Sequence, residues 1–363
     1  MKVIGAGSIG NHLSHAARVK GWHVDLVDAD VEALRRTKEE IYPQRYGKWD
    51  SEINLYSTKD APDMMYDIVF IGTPPDTHIT IAREQLAITK AIVIEKPLCG
   101  PDLKGLAELV TDIKRLGVKA FVGYNHLCGK ALRCTRRILR SGKINPITID
   151  VEFREHWGGI FAAHPWLRGP KDSYLGFSER GGGATGEHSH GISLWQYLAL
   201  QTGHGRVIEV FANTSDVSDT SLDYDEISFA QFKTESGLVG RLAQDVVTKP
   251  PQKKARIYSQ AGTVEVDLAA GQGIESVSLK LDDANSIEVF EKTRPDDFIA
   301  ELDHLEDVLL SEDDKKYVES PLNIDRGVET MMVISAILTS ARDKRPVVID
   351  YESVPNIVYD PSP

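Results

Sequence analysis

The chain has 363 residues, of which 41% are hydrophobic and 26% charged, a composition typical of a globular protein long enough for two domains. Its formal net charge of −12 argues against nucleic acid or an anionic membrane surface as the main partner. Three cysteines, none of them in a CxxC pair, exclude a disulfide framework and favour a reducing cytoplasm, and no apolar run approaches membrane-spanning length.

The chain opens with a short buried strand that runs directly into Gly5–Gly10, a G-x-G-x-x-G run, followed by a helical pattern. The first glycine permits a sharp turn, the second leaves room for a pyrophosphate, and the third lets the helix pack against the sheet. Unpaired N–H groups at the helix start would bind the phosphates. The predicted cofactor contacts in this loop are Gly5, Gly7, Ser8, Ile9 and Gly10.

A second strand ends at Asp28, 18 positions after the last of these glycines. An acidic residue at this position is placed to accept hydrogen bonds from the adenine ribose, and it repels a 2′-phosphate, so NAD is favoured over NADP. Asp30 is an alternative ribose partner. Arg35 and Arg36 could receive a 2′-phosphate, but they are better explained as solvated residues of the next helix.

Up to residue 124, strand-like runs alternate with helical ones, which predicts a parallel sheet with helices on both faces. The predicted strands are Lys2–Ile4, His23–Val27, Asn54–Tyr56, Ile68–Gly72, Ala91–Glu95 and Ala120–Gly123. Ligands of such sheets bind beyond the carboxyl ends of the strands. Three polar clusters follow strand ends here, at Thr73–His78, Glu95–Pro97 and Tyr124–His126.

Beyond residue 124 the pattern changes to strands in which apolar and polar residues alternate, beginning with Ile147–Arg154. Similar strands are predicted at Val207–Phe211, Glu226–Lys233, Leu238–Val247, Lys254–Ser259, Thr263–Leu268, Ser276–Leu281 and Ser286–Phe290. The predicted fold is α/β: an N-terminal Rossmann domain with a doubly wound parallel sheet (1–124), and a C-terminal α+β domain with a large, mostly antiparallel open sheet (125–363).

The segment from His156 to Leu200 interrupts the sheet strands and is rich in histidines, aromatic residues and cations. It contains a glycine triplet, Gly181–Gly183, followed by Glu187, His188 and His190. This content in a glycine-punctuated loop is more typical of a binding surface than of scaffold.

These motifs together resemble the Gfo/Idh/MocA oxidoreductases over essentially the whole chain. The residues that carry the resemblance are Gly5–Gly10, Thr73–Pro75 with His78, Glu95–Pro97, Gly123–Asn125, and the glycine triplet with Glu187 and His190. The resemblance implies a nicotinamide-dependent dehydrogenase or reductase of sugars, cyclitols or nucleotide-linked sugars. It also implies that Lys96 is catalytic and that Glu187 and His190 occupy the family's acidic and histidine positions.

Two departures from the family pattern weaken the transfer of a substrate or a proton path. Many members have Asp where this chain has Glu187, with the histidine four residues later, whereas here His190 follows after three. The position that is often a second Asp is Ser193.

Oxidation of a carbinol carbon needs a base for the hydroxyl proton and a cation beside the oxygen. Lys96 could shuttle the proton or polarise the oxygen, His190 is the candidate general base, and Glu187 could orient that base or hold a neighbouring sugar hydroxyl. His188 is the rival base, since only one of the two histidines can face the ligand. Further predicted cofactor contacts are Thr73, Pro74, His78 and Glu95. Predicted substrate contacts are Tyr124, Asn125, Trp166, Arg168, Tyr174 and His188.

Three alternatives remain at this stage. Glu187, His188 and His190, with His156 or His164, could bind zinc or iron, but the two-residue spacing suits a strand better than a helix start, so no metal is expected. The fold could serve a non-catalytic dinucleotide sensor, or the nucleotide domain could bind S-adenosylmethionine. We expect a homodimer or homotetramer that pairs through the C-terminal sheet, with a small sugar-like substrate and no nucleic acid or membrane partner.

Overall fold

A computed structural model describes residues 1–162, 164, 166–282 and 284–352. Its strands are β1 (Lys2–Ile4), β2 (Val24–Asp28), β3 (Ile53–Ser57), β4 (Tyr66–Ile71), β5 (Thr89–Ile94), β6 (Lys119–Val122), β7 (Pro146–Arg154), β8 (Val207–Asp216), β9 (Asp225–Thr234), β10 (Val239–Asp245), β11 (Gln252–Ser259), β12 (Gly262–Gly271), β13 (Ile274–Leu281), β14 (Asn285–Glu291) and β15 (Val347–Val348).

The α-helices of the same residues are α1 (Ser8–Val19), α2 (Val31–Arg36), α3 (Tyr42–Tyr46), α4 (Pro75–Gln85), α5 (Leu106–Leu116), α6 (Lys130–Arg140), α7 (Trp157–Ala162), α8 (Gly183–Glu187), α9 (Ser189–Gln201), α10 (Asp296–Leu309), α11 (Asp314–Val318) and α12 (Ile324–Asp343). A π-helical turn, Thr37–Ile41, joins α2 to α3.

The chain folds into two compact units. The first contains residues 1–98, 105–128 and 294–324, and the second contains the described residues of 99–104, 129–293 and 325–352. Helix α10 therefore belongs to the same unit as the N-terminal sheet, although a long stretch of chain, including strands β7 to β14, separates it from the end of β6.

The sheet of the first unit has the strand order β3-β2-β1-β4-β5-β6, and every described strand pair in it is parallel. The order reverses direction between β1 and β4, so the carboxyl ends of these two strands flank the crevice in which such sheets bind ligands. The apolar run Ala91–Ile94 in β5 has no solvent exposure, because helices cover both faces of the sheet. The predicted parallel, doubly wound sheet is confirmed.

The sheet of the second unit has the order β14-β13-β12-β11-β7-β10-β9-β8-β15 in the described residues. The neighbours β7 and β10 are parallel, and the other described pairs are antiparallel. Strand β9 alternates between buried and exposed residues, so one face of this sheet is packed and the other is open. The predicted large, mostly antiparallel open sheet is also confirmed.

Among the described residues, none of the helices combines the length and the hydropathy that crossing a membrane requires.

Candidate functional site

In the first unit, the carboxyl ends of four neighbouring strands meet at one edge of the parallel sheet. The residue that follows each strand donates its N–H to a carbonyl at the carboxyl end of a neighbouring strand, so the four loops begin at nearly the same level. These bonds are Gly5 N–H to Val27 O (2.8 Å), Gly72 N–H to Ile4 O (2.8 Å), Glu95 N–H to Ile71 O (2.9 Å) and Gly123 N–H to Ile94 O (2.9 Å).

The glycine loop between β1 and α1 has the geometry that its spacing predicts. Gly5 has a φ of +108°, and a Cβ there would lie 2.6 Å from the carbonyl oxygen of Gly72. A Cβ on Gly10 would collide with the carbonyl oxygen of Gly5, so only glycine lets α1 start this close to the strand. A Cβ on Gly7 would meet no atom within 4 Å in the described structure. The space beside Gly7 is therefore open, and no packing within the described residues requires a glycine there.

Side chains from two other elements hold this loop. The Asn11 amide donates to the carbonyl oxygens of Ala6 (3.3 Å) and Gly7 (2.8 Å), and the Thr37 hydroxyl donates to Ala6 O (2.7 Å). Because the peptide is planar, a carbonyl held inward directs the following N–H outward. The loop thus presents Gly7 N–H toward the open side, as a phosphate site at a helix start requires.

Asp28 has a structural contact that the sequence did not indicate. One of its carboxylate oxygens accepts the N–H of Ala6 at 2.7 Å, and the other accepts the N–H of Asp30 at 2.8 Å. A carboxylate has about four acceptor positions, so this arrangement leaves capacity for ribose hydroxyls. The alternative ribose partner, Asp30, caps α2 by accepting the Glu32 N–H (2.9 Å) and lies 3.7 Å from the Arg36 guanidinium.

The two arginines of α2 have acidic neighbours. The Arg35 guanidinium pairs with the carboxylates of Glu32 (2.6 Å), Glu39 (2.6 Å) and Glu40 (2.8 Å), which hold its pKa above the ordinary value. This supports the interpretation of Arg35 as a solvated helix residue rather than a 2′-phosphate ligand.

A cation that the sequence did not single out lies beside the glycine loop. Arg45 in α3 donates to the hydroxyl of Ser8 (2.9 Å) and to its carbonyl oxygen (3.1 Å) at the first residue of α1. Burial lowers the pKa of Arg45, and Arg294 is a second positive charge near it. The predicted phosphate contact Ser8 therefore lies in a positive environment inside an acidic protein.

The loops after β4 and β5 are tied together by His78. Its imidazole is fully buried, with Nε2 2.8 Å from the carbonyl oxygen of Thr73 and Nδ1 3.1 Å from that of Pro97. Burial lowers the pKa of His78 to about 4, so the ring is neutral and donates one hydrogen to one of the two carbonyls. His78 thus fixes the loop of Thr73 and Pro74 against the Glu95-Lys96-Pro97 segment.

The Glu95-Lys96-Pro97 segment follows β5. Glu95 is 6% exposed, and one of its carboxylate oxygens accepts the N–H of Lys96 at 3.2 Å. A Cβ on Gly123 would lie 2.7 Å from the other oxygen, so the glycine after β6 makes room for this carboxylate. Lys96 and Asn125 are partly exposed, whereas Tyr124 is only 1% exposed.

In the second unit, the glycine-rich segment is packed against backbone and against β9. A Cβ on Gly182 would collide with the carbonyl oxygen of Tyr174, and a Cβ on Gly186 would collide with the carbonyl oxygen of Gly181. Gly183 has a φ of +76°, and a Cβ there would collide with the Asp225 carboxylate.

Asp225 anchors the start of α8 from β9. The carboxylate accepts the backbone N–H (3.0 Å) and the hydroxyl (2.6 Å) of Thr185, and it is 2% exposed. Burial raises its pKa to about 7. The sequence did not single out Asp225, which directly precedes the predicted strand Glu226–Lys233.

Glu187 and His190 are both partly exposed and lie at the end of α8 and the start of α9. The Tyr174 hydroxyl donates to the Glu187 carboxylate at 2.9 Å, which brings two predicted site residues together. The His190 ring is stacked on Phe153 of β7, with ring centroids 5.8 Å apart.

His188 has a different environment. It is 3% exposed, and its Nε2 lies 3.3 Å from the carbonyl oxygen of Glu155. Its own carbonyl accepts a hydrogen bond from the buried amide of Gln244 in β10. These contacts are those of a residue that fixes the junction of α8 and α9.

The other two predicted substrate contacts lie in the segment before the glycine triplet. Trp166 is partly exposed, and its ring meets that of His164 edge-on at 5.2 Å. The Arg168 side chain is 95% exposed, 3.6 Å from the Asp172 carboxylate. Within the described ranges, no group of three or more His, Cys, Asp or Glu side chains has the arrangement of a metal site.

Residues 1–124 match the model of a family described as an oxidoreductase family with an NAD-binding Rossmann fold, GFO_IDH_MocA. The family resemblance and the NAD-binding fold expected from the motifs are confirmed for this part of the chain. No curated protein matches the sequence.

Solved structures with the same fold cover almost the whole chain. An aldose-aldose oxidoreductase from Caulobacter crescentus, complexed with glycerol, is 22% identical, covers 96% of this chain and 98% of its own, and has a TM-score of 0.73. The WlbA dehydrogenase from Bordetella pertussis, in complex with NADH and UDP-GlcNAcA, is 20% identical, with coverages of 96% and 98% and a TM-score of 0.71. A putative myo-inositol dehydrogenase from Sinorhizobium meliloti 1021 is 18% identical, with coverages of 96% and 99% and a TM-score of 0.70. At these identities the comparison shows that the fold extends over both units.

Proposed function

We propose that this chain, whose first 124 residues are those of an NAD-binding oxidoreductase domain, is an NAD-dependent dehydrogenase or reductase of a sugar, cyclitol or nucleotide-linked sugar. The observation that carries the proposal is the shared sheet edge: the glycine loop, Asp28 and the Glu95-Lys96-Pro97 segment all lie at the carboxyl ends of adjacent strands. Structural neighbours that act on aldoses or were crystallised with a UDP-sugar support this substrate class.

The cofactor is NAD rather than NADP in this proposal. The carboxylate of Asp28 is fixed by the N–H groups of Ala6 and Asp30 at the end of β2, and it would repel a 2′-phosphate. The Arg45 guanidinium beside Ser8 and the outward N–H of Gly7 would hold the pyrophosphate. Neighbouring structures with NADH support this choice of dinucleotide.

In the oxidation, a carbinol C–H and O–H are converted into a carbonyl, and the substrate loses a hydride and a proton. The bound nicotinamide supplies the hydride chemistry. Lys96 would stabilise negative charge on the substrate oxygen, and His190 would take the hydroxyl proton as a general base. Glu187, held by the Tyr174 hydroxyl, would orient the base or bind a neighbouring hydroxyl.

The substrate contacts in this proposal are the partly exposed candidates Asn125, Trp166 and Tyr174, together with the exposed Arg168. The other two predicted substrate contacts, Tyr124 and His188, are almost fully buried. An aromatic ring such as Trp166 suits the apolar face of a sugar, while amide and guanidinium groups suit its hydroxyls or a phosphate.

The open face of the second sheet is the proposed surface for a dimer or tetramer. Paired residues across β8, β9, β10 and β7 put apolar and charged side chains side by side, and Val239 is 53% exposed there. A shallow depression of about 310 Å³ is lined by residues of these four strands. Such a mixed surface is typical of a wet subunit interface.

The test compares Lys96→Met with Lys90→Met. Lys90 is the second residue of β5, its side chain is 68% exposed, and it pairs with Asp67 at the opposite end of the strand from Lys96, so it controls for removal of a charge near β5. NAD and NADP binding is measured by calorimetry, and reduction of the cofactor is followed by absorbance over a panel of sugars, cyclitols and nucleotide-linked sugars.

We expect the unmodified chain to bind NAD more tightly than NADP and to reduce it with at least one member of the panel. Lys96→Met should lower kcat by about 10²-fold or more with NAD binding retained, whereas Lys90→Met should leave both unchanged. NAD binding without turnover over the whole panel would favour the dinucleotide sensor instead. Unchanged kcat in Lys96→Met would remove this lysine from the chemistry.

A further inference from the structure

Helix α10 carries a carboxyl group on its buried face. The residues Phe298, Leu302, Leu305 and Val308 form an apolar stripe, each 1% exposed or less, and Glu301 lies within the same stripe with no exposure. This face packs against α1 and against the turn Asn125–Cys128, all in the first unit. An acidic residue at the centre of such a stripe requires a compensating contact.

Hydrogen-bond donors do not supply that compensation. Neither carboxyl oxygen of Glu301 has a hydrogen-bond partner in the part of the chain that the structure describes. The charged neighbours that act on it are the carboxylates of Glu95 and Asp297. Burial and these like charges raise the pKa of Glu301 well above its ordinary value, which favours the protonated form of the carboxyl group.

Glu95 is the carboxylate next to Lys96. One of its oxygens accepts the Lys96 N–H, and the other faces the position where Gly123 has no side chain. Both Glu95 and Glu301 are buried, and two adjacent buried carboxyl groups cannot both be ionised. One proton shared between them satisfies the pair, because a protonated carboxyl donates a hydrogen bond that a carboxylate accepts.

We propose that Glu301 is a positioning residue for the Glu95-Lys96-Pro97 segment: its carboxyl group stays protonated and donates a hydrogen bond to the Glu95 carboxylate. Glu95 is then held by Glu301 and by the Lys96 N–H, while Gly123 leaves room for its other carboxylate oxygen. The backbone of Lys96 is fixed in consequence by a helix that lies far from it in sequence. The inference rests on the proposed function for the role of Lys96, but the shared proton does not depend on it.

The test uses two variants of Glu301. Glu301→Gln keeps the shape and an N–H donor, whereas Glu301→Met fills the space without a donor. We expect Glu301→Gln to keep kcat within about twofold of the unmodified chain and Glu301→Met to lower it about tenfold or more, as loss of a hydrogen bond to a charged group does. The Kd for NAD should stay within about twofold in both. The melting temperature of Glu301→Met should stay equal or rise, because an apolar side chain replaces a buried polar one.

A purely structural Glu301 would change the melting temperature and leave kcat unaltered in Glu301→Met, and this result would overturn the proposal. Equal loss of kcat in Glu301→Gln and Glu301→Met would overturn it as well, because the donor would then be irrelevant.

The proton itself is measured by infrared spectroscopy without any substrate. At about pH 8.5 the unmodified chain should show the carbonyl band of a protonated carboxylic acid, and Glu301→Gln should lack it. Glu329→Gln is the matched control: Glu329 in α12 is also buried, but it pairs with Arg326 at 2.7 Å, and its pKa of about 7 leaves it ionised at this pH.

Loss of the band in Glu301→Gln but not in Glu329→Gln supports the proposal, and a spectrum unchanged by Glu301→Gln contradicts it. The infrared measurement tests the shared proton separately from the proposed enzymatic function. An unmodified chain that shows the band but reduces no cofactor would refute the proposed function, not the shared proton.

Discussion

At the scale of single residues, the two histidines of the second unit have separate environments. His188 is almost fully buried against the Glu155 carbonyl, whereas His190 is partly exposed beside the Phe153 ring. We predict that His190→Asn lowers kcat by about 10²-fold or more with little change in melting temperature, since a general base typically contributes roughly 10²–10⁴-fold. His188→Asn should instead lower the melting temperature by several degrees.

Steady-state kinetics and thermal unfolding of the two purified variants check this prediction side by side. A His188→Asn variant that is fully stable but inactive, paired with an active His190→Asn variant, would assign the base to His188.

The sequence identified residues whose role follows from local spacing. Gly5, Gly7 and Gly10 were predictable because a turn, a close approach and a helix contact each require a missing side chain at a fixed offset. Their supports were not predictable, since Thr37 and Arg45 are polar residues with ordinary neighbours in sequence. Only folding brings Thr37 and Arg45 next to the glycine loop that they contact.

At the scale of an element, the β1–loop–α1 unit allows a test of whether its open space holds a cofactor. Gly7 has a φ of −76° and a ψ of −163°, which alanine adopts without strain, and a methyl group there meets no protein atom within 4 Å in the described residues. Gly7→Ala should therefore keep the melting temperature. We predict that it weakens NAD binding by about tenfold or more, because the methyl group occupies the pyrophosphate space.

Gly10→Ala is the contrasting variant, since its methyl group would collide with the Gly5 carbonyl and should lower the melting temperature itself. Calorimetric binding of NAD and thermal unfolding distinguish the two. Unimpaired NAD binding in Gly7→Ala would show that phosphate does not lie above this residue.

The contact between Asp225 of β9 and the start of α8 predicts how the free energy of unfolding depends on pH. The pKa of Asp225 is raised from 3.8 to about 7 in the folded state, so between these pH values the folded chain holds a proton that the unfolded chain releases. The stabilisation from this proton is fully present below about pH 4 and is lost as the pH rises through 7. One pKa unit corresponds to about 1.4 kcal/mol, so the change amounts to a few kcal/mol.

Asp225→Asn should flatten this part of the pH dependence, because the amide oxygen still accepts from Thr185 and no group titrates. The free energy of unfolding is measured by urea denaturation from about pH 4 to about pH 8 for both proteins. Since Glu329 also has a pKa of about 7, only the difference between the two curves reports on Asp225. A constant difference over this range would contradict the prediction.

At the scale of the whole molecule, the two kinds of sheet could be predicted from the sequence pattern, but the return of the chain to the first unit could not. Periodicity of two and continuous apolar runs predicted both sheets, with most strand ends within a few residues of the observed ones. The apolar stripe of helix α10 does not say which sheet the helix covers. Its place in the first unit depends on packing with α1, which no local pattern encodes. The short edge strand β15 was likewise missed, because two residues carry no period.

The last prediction concerns subunit assembly through the open sheet. Val239 of β10 lies across from Lys233 of β9 and Thr148 of β7, on the exposed face. In an assembled sheet a carboxylate at this position would lose its hydration, and this cost can exceed the attraction to the neighbouring Lys233, so we predict that Val239→Asp shifts the chain from dimer or tetramer to monomer. Light scattering after size-exclusion chromatography measures the mass at matched concentrations. Leu310→Asp is the control, since Leu310 is 79% exposed but belongs to the first unit. An unmodified chain that is already monomeric, or a Val239→Asp variant of unchanged mass, would mean that this sheet faces solvent.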